Sequence, residues 1–318
     1  MLNIENLRVS FSGEKQKIPV LRGVTLKIEK GEVLGLAGES GCGKSITALS
    51  ILGLLPVGAD FDGGKIFFED NDLLQMKPER LQRIRGKKIA MIFQEPGVSL
   101  DPLFTIGNQI GEVVERQLKV ESLKLKVMEE VEKLLELVKF PKPKEVLCQY
   151  PHQLSGGMAQ RAMIAMALAR KPSLLIADEP TTSLDVTTEA EIIALLKELQ
   201  ASLGMSILFI SHNLALIGNI AGRIAIMYAG RIVEVGPMNE VIHKPLHPYT
   251  RALLLCLPDP EKRGKPLVSI PGSVPEPSAL LSGCAFAPRC PEKKEICARE
   301  IPKVKNVGGG HFVRCHKC

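Results

Sequence analysis

Strand-like alternation of apolar and polar residues opens the chain. Apolar side chains recur at every second or third position over residues 2–11, which predicts an antiparallel opening strand, and again over 24–28. The polar residues 12–19 are expected to connect the two strands. Asp62-Gly63-Gly64 predicts a turn, and 65–69 a short strand after it.

Short apolar runs recur further along, and stretches of helical periodicity separate several of them. The runs predict buried strands at 32–37, 89–93, 174–179, 207–210, 224–227 and 231–235, and helices at 46–55, 78–85, 159–170 and 187–203. This order predicts an α/β fold with a parallel-sheet core and an antiparallel β subdomain. No strand pattern interrupts 105–171, so a helical subdomain inserted at about 97–171 is expected.

Composition fits a globular α/β protein. The 318 residues are 45% hydrophobic, which allows one large domain with an appendage or two ordinary domains. A net charge of +6 suits anionic ligands and falls short of the basic stripe of a nucleic-acid binder. We see no signal peptide, and the longest uncharged apolar stretch, 206–222, is too short to span a bilayer. We therefore expect a soluble cytoplasmic chain that serves a membrane only as a bound subunit.

The glycine-rich stretch from Gly38 to Ser45 lies between a predicted strand and a predicted helix. In that context it predicts a phosphate-binding loop, because glycines let backbone N–H groups and a helix N-terminus converge on phosphate oxygens. Lys44 is expected to contact the β- and γ-phosphates, and the Ser45 hydroxyl to bind Mg²⁺. The residues predicted to hold nucleotide here are Gly38, Ser40, Gly41, Cys42, Gly43, Lys44 and Ser45.

Polar residues follow three of the other predicted strands. Asp178 and Glu179 end one strand, where Asp178 is expected to help hold Mg²⁺ and Glu179 to polarise the water that attacks the γ-phosphate. Gln94 follows another strand and is expected to reach the Mg²⁺ or the water. His212 is a candidate contact of the γ-phosphate. The alternatives are that Gln94 is an ordinary turn residue and that His212 is a structural histidine.

Ser155, Gly156 and Gly157 precede a predicted helix and form a second candidate anion-binding helix end. An ordinary serine cap with glycines in the turn would have the same sequence.

Taken in order, the glycine loop, Gln94, Leu154-Ser155-Gly156-Gly157, the Asp178-Glu179 strand, Ser183-Leu184-Asp185 and His212 resemble the nucleotide-binding subunit of an ATP-binding cassette (ABC) transporter. The resemblance covers about residues 2–240. It implies that two subunits sandwich two ATP molecules, with Ser155 and Gly157 at the partner's γ-phosphate and Asp185 at the dimer seam. It also implies that Phe11 stacks on adenine, and a half-buried strand residue without a ligand is the alternative. Two positions depart from the common family sequence, Met158 and Ala159.

The last part of the chain resembles the C-terminal extension of oligopeptide and dipeptide importer ATPases. The similarity lies in 247–251, 266–277 and 283–291. It implies an ATPase that powers peptide uptake at the cytoplasmic face of the membrane. The expected partners are two permease subunits, a second ATPase subunit of different sequence and, indirectly, an extracytoplasmic peptide-binding protein. The solute itself, a dipeptide, an oligopeptide or nickel, stays open. We expect the cassette at 1–240 and the extension at 241–318.

Five of eight cysteines crowd the last 35 residues. Four of them, with 5, 6 and 17 intervening residues, are expected to wrap around a centre that folds a tail poor in large apolar residues (about 283–318). The spacing favours a [4Fe-4S] cluster over zinc or an unmetallated tail. The expected ligands are Cys284, Cys290, Cys297 and Cys315. Cys318 is left over, and His311 and His316 are expected at the surface. The scattered Cys42, Cys148 and Cys256 are expected to be small buried side chains.

Two other functions fit part of the pattern. A soluble cassette ATPase could act on nucleic acid or ribosomes with the cysteine-rich tail as a redox sensor. One cassette and little basic clustering disfavour it. The chain could also act mainly as a redox switch, in which case its ATPase rate would follow oxidation of the tail.

Overall fold

The structure is a computed structural model that describes residues 1–13, 16–118, 124–257, 269–276 and 282–318. The strands are β1 (Leu2–Ser12), β2 (Lys17–Ile28), β3 (Val33–Ala37), β4 (Ala59–Phe68), β5 (Asn71–Asp72), β6 (Ile89–Ile92), β7 (Leu174–Asp178), β8 (Ser206–Ser211), β9 (Arg223–Tyr228), β10 (Arg231–Pro237), β11 (Lys305–Gly308) and β12 (His311–Val313). The helices are α1 (Lys44–Leu52), α2 (Pro78–Ile84), α3 (Pro96–Ser99), α4 (Ile106–Leu118), α5 (Lys124–Leu137), α6 (Pro143–Val146), α7 (Gly156–Leu168), α8 (Val186–Leu203), α9 (Leu214–Ile220), α10 (Met238–His243), α11 (Pro248–Leu255) and α12 (Ile296–Arg299).

The chain divides into two compact units. Unit 1 combines Met1–Met76 with Phe209–Cys318, and unit 2 is Lys77–Leu208, so the boundary falls within β8. Of the 266–277 segment that carries part of the family resemblance, residues 266–268 and 277 lie outside the described residues.

The opening strands of unit 1 form an antiparallel sheet in the order β2-β1-β4-β5. The predicted turn at Asp62-Gly63-Gly64 is wrong, because all three residues lie inside β4. Gly63 (φ 145°) and Gly64 (φ 98°) lie where the pairing with β1 shifts register. Glycine serves here to bend a strand past its neighbour, since a Cβ on Gly64 would come within 2.6 Å of the Asn6 carbonyl oxygen.

A second, mixed sheet of unit 1 contains neighbours in the order β11-β12-β10-β9-β3. β3 runs parallel to β9, as expected of the core, whereas β9, β10, β12 and β11 pair antiparallel. Glu234 and Val235 of β10 pair with Val313 and Phe312 of β12. The end of the extension therefore continues the sheet that carries the glycine loop.

Unit 2 contains the parallel pair β6 and β7, with Ile89 opposite Leu174 and Ile92 opposite Ala177. Helices α4 and α5 contact each other, and both contact α7. Between 105 and 171 the described residues contain no strand, as expected for a helical region. Pro96 is the first residue of the short helix α3, a position that proline favours.

Helix ends follow local chemistry. Asp185 caps the N-terminus of α8, and Gly204 ends it in the left-handed conformation (φ 63°). Gly53 does the same for α1 (φ 60°). Every residue of β3, β7 and β8 is buried, which explains why their sequences are continuous apolar runs. Among the helices that the structure describes, none is long and apolar enough to cross a bilayer.

Candidate nucleotide site

In unit 1, the glycine loop connects β3 to α1, as the sequence predicts. Gly38 (φ 157°), Gly41 (φ 79°) and Gly43 (φ 108°) have positive φ. A Cβ on Gly38 would lie 2.3 Å from the Met227 carbonyl oxygen, and one on Gly43 would lie 2.9 Å from the Met227 side chain. Close packing against backbone and backbone conformation both require glycine at Gly38, whereas at Gly43 the positive φ requires it, because the side-chain ends near it can move.

Lys44 is the first residue of α1 and is 5% exposed. Its Nζ donates hydrogen bonds to the carbonyl oxygens of Gly38 (2.9 Å) and Glu39 (3.2 Å), so the side chain curls back across the loop. Gly43 precedes the helix and provides no side-chain cap, and the N-terminus of a helix carries partial positive charge that favours an anion. The loop thus has the backbone donors and the cation that a triphosphate needs.

The other predicted loop residues differ in exposure. Ser40 is exposed, Ser45 is half-buried at the start of α1, and Cys42 is buried. Burial raises the pKa of the Cys42 thiol, which opposes a reactive thiolate at this position.

Two further predicted residues lie in unit 1. Phe11 is half-buried near the end of β1, where it pairs with Ile18 of β2 and Ala59 of β4. His212 directly follows β8 and is exposed. These positions leave the predicted roles of both residues as hypotheses.

Unit 2 carries the predicted metal and water ligands. β6 and β7 run parallel, so Gln94 and Asp178 leave the same edge of their strand pair. Asp178 is the last residue of β7 and is 4% exposed, while Gln94 lies two residues beyond β6 and is exposed. An acidic and an amide side chain at one edge are suitable oxygen ligands for Mg²⁺.

Glu179 has an unusual backbone. Its φ of 47° lies in the left-handed region, which non-glycine residues adopt at a cost of order 1 kcal/mol or more. Its Oε2 accepts a hydrogen bond from the Thr182 hydroxyl at 3.0 Å. Strained backbone and a fixed carboxylate at the end of a buried strand are typical of a positioned catalytic group.

Ser155 caps α7 and is exposed. Its hydroxyl accepts a hydrogen bond from the Met158 N–H at 3.3 Å. A Cβ on Gly157 would lie 2.5 Å from the Thr188 methyl group, so the start of α7 packs against α8. This packing is reason enough for glycine at position 157, whether or not a ligand binds there. Because Ser155 is exposed, a ligand could still approach the start of α7.

Asp185 is exposed and caps α8. Its Oδ1 accepts from the N–H groups of Thr187 (3.1 Å) and Thr188 (3.0 Å), and its Oδ2 accepts from the Thr188 hydroxyl at 2.7 Å. The Thr188 hydroxyl, followed by its N–H, holds the pKa of the Asp185 carboxyl below its ordinary value. Capping is thus an observed role of this residue, beside the predicted one at a dimer seam.

Comparisons with known proteins agree on the family. A sequence profile described as ABC transporter matches residues 21–182, and one described as oligopeptide/dipeptide transporter, C-terminal region, matches residues 233–297. The chain is 44% identical over 318 residues to the "Probable peptide ABC transporter ATP-binding protein y4tR" of Sinorhizobium fredii, covering 99% of this chain and 94% of that protein. The chain belongs to the ABC transporter family. It is an ATPase of that family.

Further relatives extend the match. The "Dipeptide transport ATP-binding protein DppD" of Bacillus subtilis is 43% identical over 316 residues, covering 99% of this chain and 94% of that protein. The ATP-binding cassette MJ0796, solved as a dimer "bound to ADP and Pi", is similar with a TM-score of 0.67 and 26% identity, over 75% of this chain and 99% of that one. The expected cassette fold is therefore confirmed.

Four tail cysteines of this ABC ATPase line one small cavity in unit 1, and Cys318 does not. The cavity is lined by Cys284, Cys290, Cys297 and Cys315 together with nine other residues, His247 and Phe286 among them. Burial raises the pKa of Cys284 and Cys290, and the neighbouring thiols add to this effect. Even so, within the described part of the chain no three His, Cys, Asp or Glu side chains are arranged to hold a metal ion. The predicted metal-bound extension is thus not confirmed.

The expectations for Cys148, Cys256 and His311 are wrong. Cys148 is exposed and Cys256 is half-buried, so of the scattered cysteines only Cys42 is a buried side chain. His311 is not at the surface. It is 5% exposed, and its Nε2 lies 2.8 Å from Oε1 of Glu234. His316 is half-buried and bonds a backbone carbonyl.

Sequence reasoning assigned no role to Glu39, Tyr249 or Arg289. In the structure, Arg289 of the extension bonds the carboxylate of Glu39 inside the phosphate loop, and Tyr249 bonds the Glu39 N–H. The residues lie far apart in sequence and belong to no common motif. No signal in a single sequence would have joined them.

Proposed function

We propose that the chain is the ATP-hydrolysing subunit of an importer that takes up dipeptides or oligopeptides through membrane permeases. Relatedness along nearly the whole chain to proteins named for peptide transport, together with the peptide-transporter extension at 233–297, carries this proposal. The same comparisons offer nothing for an ATPase that acts on nucleic acid or ribosomes. We propose the cassette at 1–240, with its helical subdomain at about 97–171, and the extension at 241–318, with its cysteine-rich tail at about 283–318.

The phosphate loop binds the triphosphate in this proposal. Backbone N–H groups of the loop and of the first turn of α1 donate to phosphate oxygens, and Lys44 neutralises charge at the β- and γ-phosphates. Phe11 stacks on adenine, and His212 contacts the γ-phosphate. The uncapped start of α1 and the curled Lys44 side chain support these roles for the loop.

Ser45, Gln94 and Asp178 would hold Mg²⁺, which when bound neutralises developing charge on the phosphates. Their hydroxyl, amide and carboxylate oxygens suit that ion. Glu179 accepts a proton from the attacking water as general base, and Thr182 steadies its carboxylate.

A second ATPase subunit, of different sequence, completes each site. Ser155, Gly156 and Gly157 bind the γ-phosphate held by the partner, and Asp185 lies at the seam. The exposure of Ser155 and Asp185 supports such roles, and the relative MJ0796 is dimeric in its solved structure. Closure of the pair on ATP drives the permeases, and hydrolysis reopens it.

The permeases dock on unit 2 in this proposal. Val98 (80% exposed), Leu103 (78%) and Phe104 (53%) leave large apolar side chains in water, and all three follow Phe93 and Gln94 closely in the sequence. We call these three residues together with Phe93 (41%) the 93–104 patch. Apolar patches of this kind mark protein interfaces. The subunit would sit at the cytoplasmic face of the membrane as a peripheral protein, and a peptide-binding protein outside would supply the solute.

We also propose that Cys284, Cys290, Cys297 and Cys315 hold a [4Fe-4S] cluster, with zinc as the alternative. The four cysteines line one cavity, and their thiols are the soft ligand type that either centre uses. Burial that raises the pKa of Cys284 and Cys290 disfavours free thiolates, and a bound cationic centre is the kind of partner that stabilises them.

The decisive experiment is uptake by cells that lack the gene. We expect loss of labelled dipeptide and oligopeptide uptake, restored by the wild-type chain and not by Lys44→Ala. Nickel uptake is measured in parallel. Normal peptide uptake with impaired nickel uptake would overturn the peptide assignment while leaving the transporter ATPase intact.

A further inference from the structure

Within unit 1, the C-terminal extension contacts the phosphate loop through one partly buried ion pair. Nη1 of Arg289 donates to both carboxylate oxygens of Glu39, at 3.1 and 3.0 Å. The Arg289 side chain is 6% exposed and that of Glu39 is 27% exposed, so solvent screens the pair only weakly. Glu39 lies between Gly38 and Ser40 of the loop, about 250 residues before Arg289.

The other nitrogens of Arg289 are bonded as well. Nε donates to the Pro271 carbonyl at 2.9 Å, and Nη2 donates to the Ile270 carbonyl at 3.3 Å. Nη1 also donates to the Tyr228 hydroxyl at 3.4 Å. Arg289 therefore joins two segments of the extension to the loop, and only the three-nitrogen guanidinium can make all these bonds at once.

Tyr249 secures the backbone of the same residue. Its hydroxyl accepts the Glu39 N–H at 3.0 Å. The ring is fully buried and packs against Tyr228 (4.6 Å between centroids) and Phe286 (5.3 Å), so its position is fixed. Burial raises the pKa of Tyr249, so its hydroxyl stays neutral.

Glu39 also contacts Lys44, whose Nζ donates hydrogen bonds to the carbonyl oxygens of Glu39 and Gly38. A loop whose glycines have φ values of 157°, 79° and 108° has many alternative conformations. Fixing Glu39 from both its N–H and its carboxylate reduces the ordering that nucleotide binding must otherwise impose.

From these contacts we propose that Arg289 and Tyr249 are positioning residues for ATP, which act through Glu39 and make nucleotide affinity depend on the C-terminal extension. The inference rests on the proposed role of the loop in nucleotide binding. Removal of Arg289 should weaken ATP binding about tenfold, which corresponds to about 1.4 kcal/mol.

The test measures the ATP dissociation constant of the full-length chain by titration calorimetry. Arg289→Ala is expected to weaken binding about tenfold, and Tyr249→Phe, which removes one hydroxyl, about threefold. Arg299→Ala is the matched control, because Arg299 is an exposed arginine of the same extension. It should change the constant by less than about twofold. If Arg289→Ala does not fold, Tyr249→Phe carries the test alone.

A double variant separates positioning from direct attraction of the triphosphate by the Arg289 charge. If Arg289 acts through Glu39, Arg289→Ala adds little in a Glu39→Ala background. An equal loss in both backgrounds would overturn the proposal, as would an unchanged constant in Arg289→Ala or, if that variant does not fold, in Tyr249→Phe. Lys44→Ala distinguishes failure of this inference from failure of the proposed nucleotide-binding role of the loop. Lost binding there with normal binding in Arg289→Ala rejects this inference alone, whereas normal binding in Lys44→Ala rejects the loop assignment itself.

Discussion

Glu234 is the buried anchor of the extension, and its replacement by alanine should destabilise the protein strongly. The carboxylate is fully buried and accepts three hydrogen bonds: from the N–H groups of Leu246 (2.8 Å) and His247 (2.9 Å), and from Nε2 of His311 (2.8 Å). Glu234→Ala leaves all three donors without this acceptor, two of them in buried positions. These bonds fix the turn before α11, which carries Tyr249, and the strand β12.

The magnitude follows from these three bonds. A hydrogen bond to a charged group contributes about 1.5–3 kcal/mol, so three bonds set an upper limit near 5–9 kcal/mol. Relaxation and water entering the space left by the side chain reduce this loss. Removing one member of a buried charged network typically costs about 3–5 kcal/mol, and we expect that range.

The assay is urea unfolding followed by circular dichroism, since the chain has no tryptophan. The matched control is Glu240→Ala on the nearby α10, whose carboxylate is exposed and lies 3.5 Å from Lys244. It should cost less than about 1 kcal/mol. A Glu234→Ala loss no larger than that of the control would refute the idea that this carboxylate anchors the extension.

Three other predictions address the site. Glu179→Gln should preserve ATP binding and lower turnover by about a hundredfold or more. The control Glu129→Gln, which changes an exposed carboxylate, should leave turnover unchanged. A normal rate in Glu179→Gln would contradict the general-base role. Gly38→Ala places a Cβ 2.3 Å from a backbone oxygen, so ATP affinity should fall at least about tenfold by calorimetry; unchanged affinity would show that the loop need not keep this shape. Cys290→Ser should remove iron and sulfide from anaerobically purified protein while Cys148→Ser does not; wild-type protein containing about one zinc and no iron would replace the cluster with zinc.

Local patterns in the sequence determined the cassette elements. The apolar runs of β3, β7 and β8 are buried throughout, and a run of that kind has no other stable place in a folded protein. The phosphate loop could be predicted because its glycines, lysine and serine all lie within eight consecutive residues, Gly38 to Ser45. Asp185 and Gly204 predict the ends of α8 because capping is a short-range interaction.

The wrong predictions concern residue types that occur in more than one structural context. Asp62-Gly63-Gly64 has the composition of a turn, yet the neighbouring strand β1 makes it a bent part of β4. Similarly, His311 in a polar tail suggested a surface residue. The buried carboxylate of Glu234, 77 residues earlier, makes it part of the interior.

The sequence by itself therefore determined the family, the phosphate loop and the order of the elements, because each depends on residues close together in the chain. Only the tertiary structure joined Arg289 and Tyr249 to Glu39, and His311 to Glu234. Such pairs depend on how the sheet brings the end of the chain back to its beginning. Contact energy acts over a few ångströms, and a sequence records no distance between residues 250 positions apart.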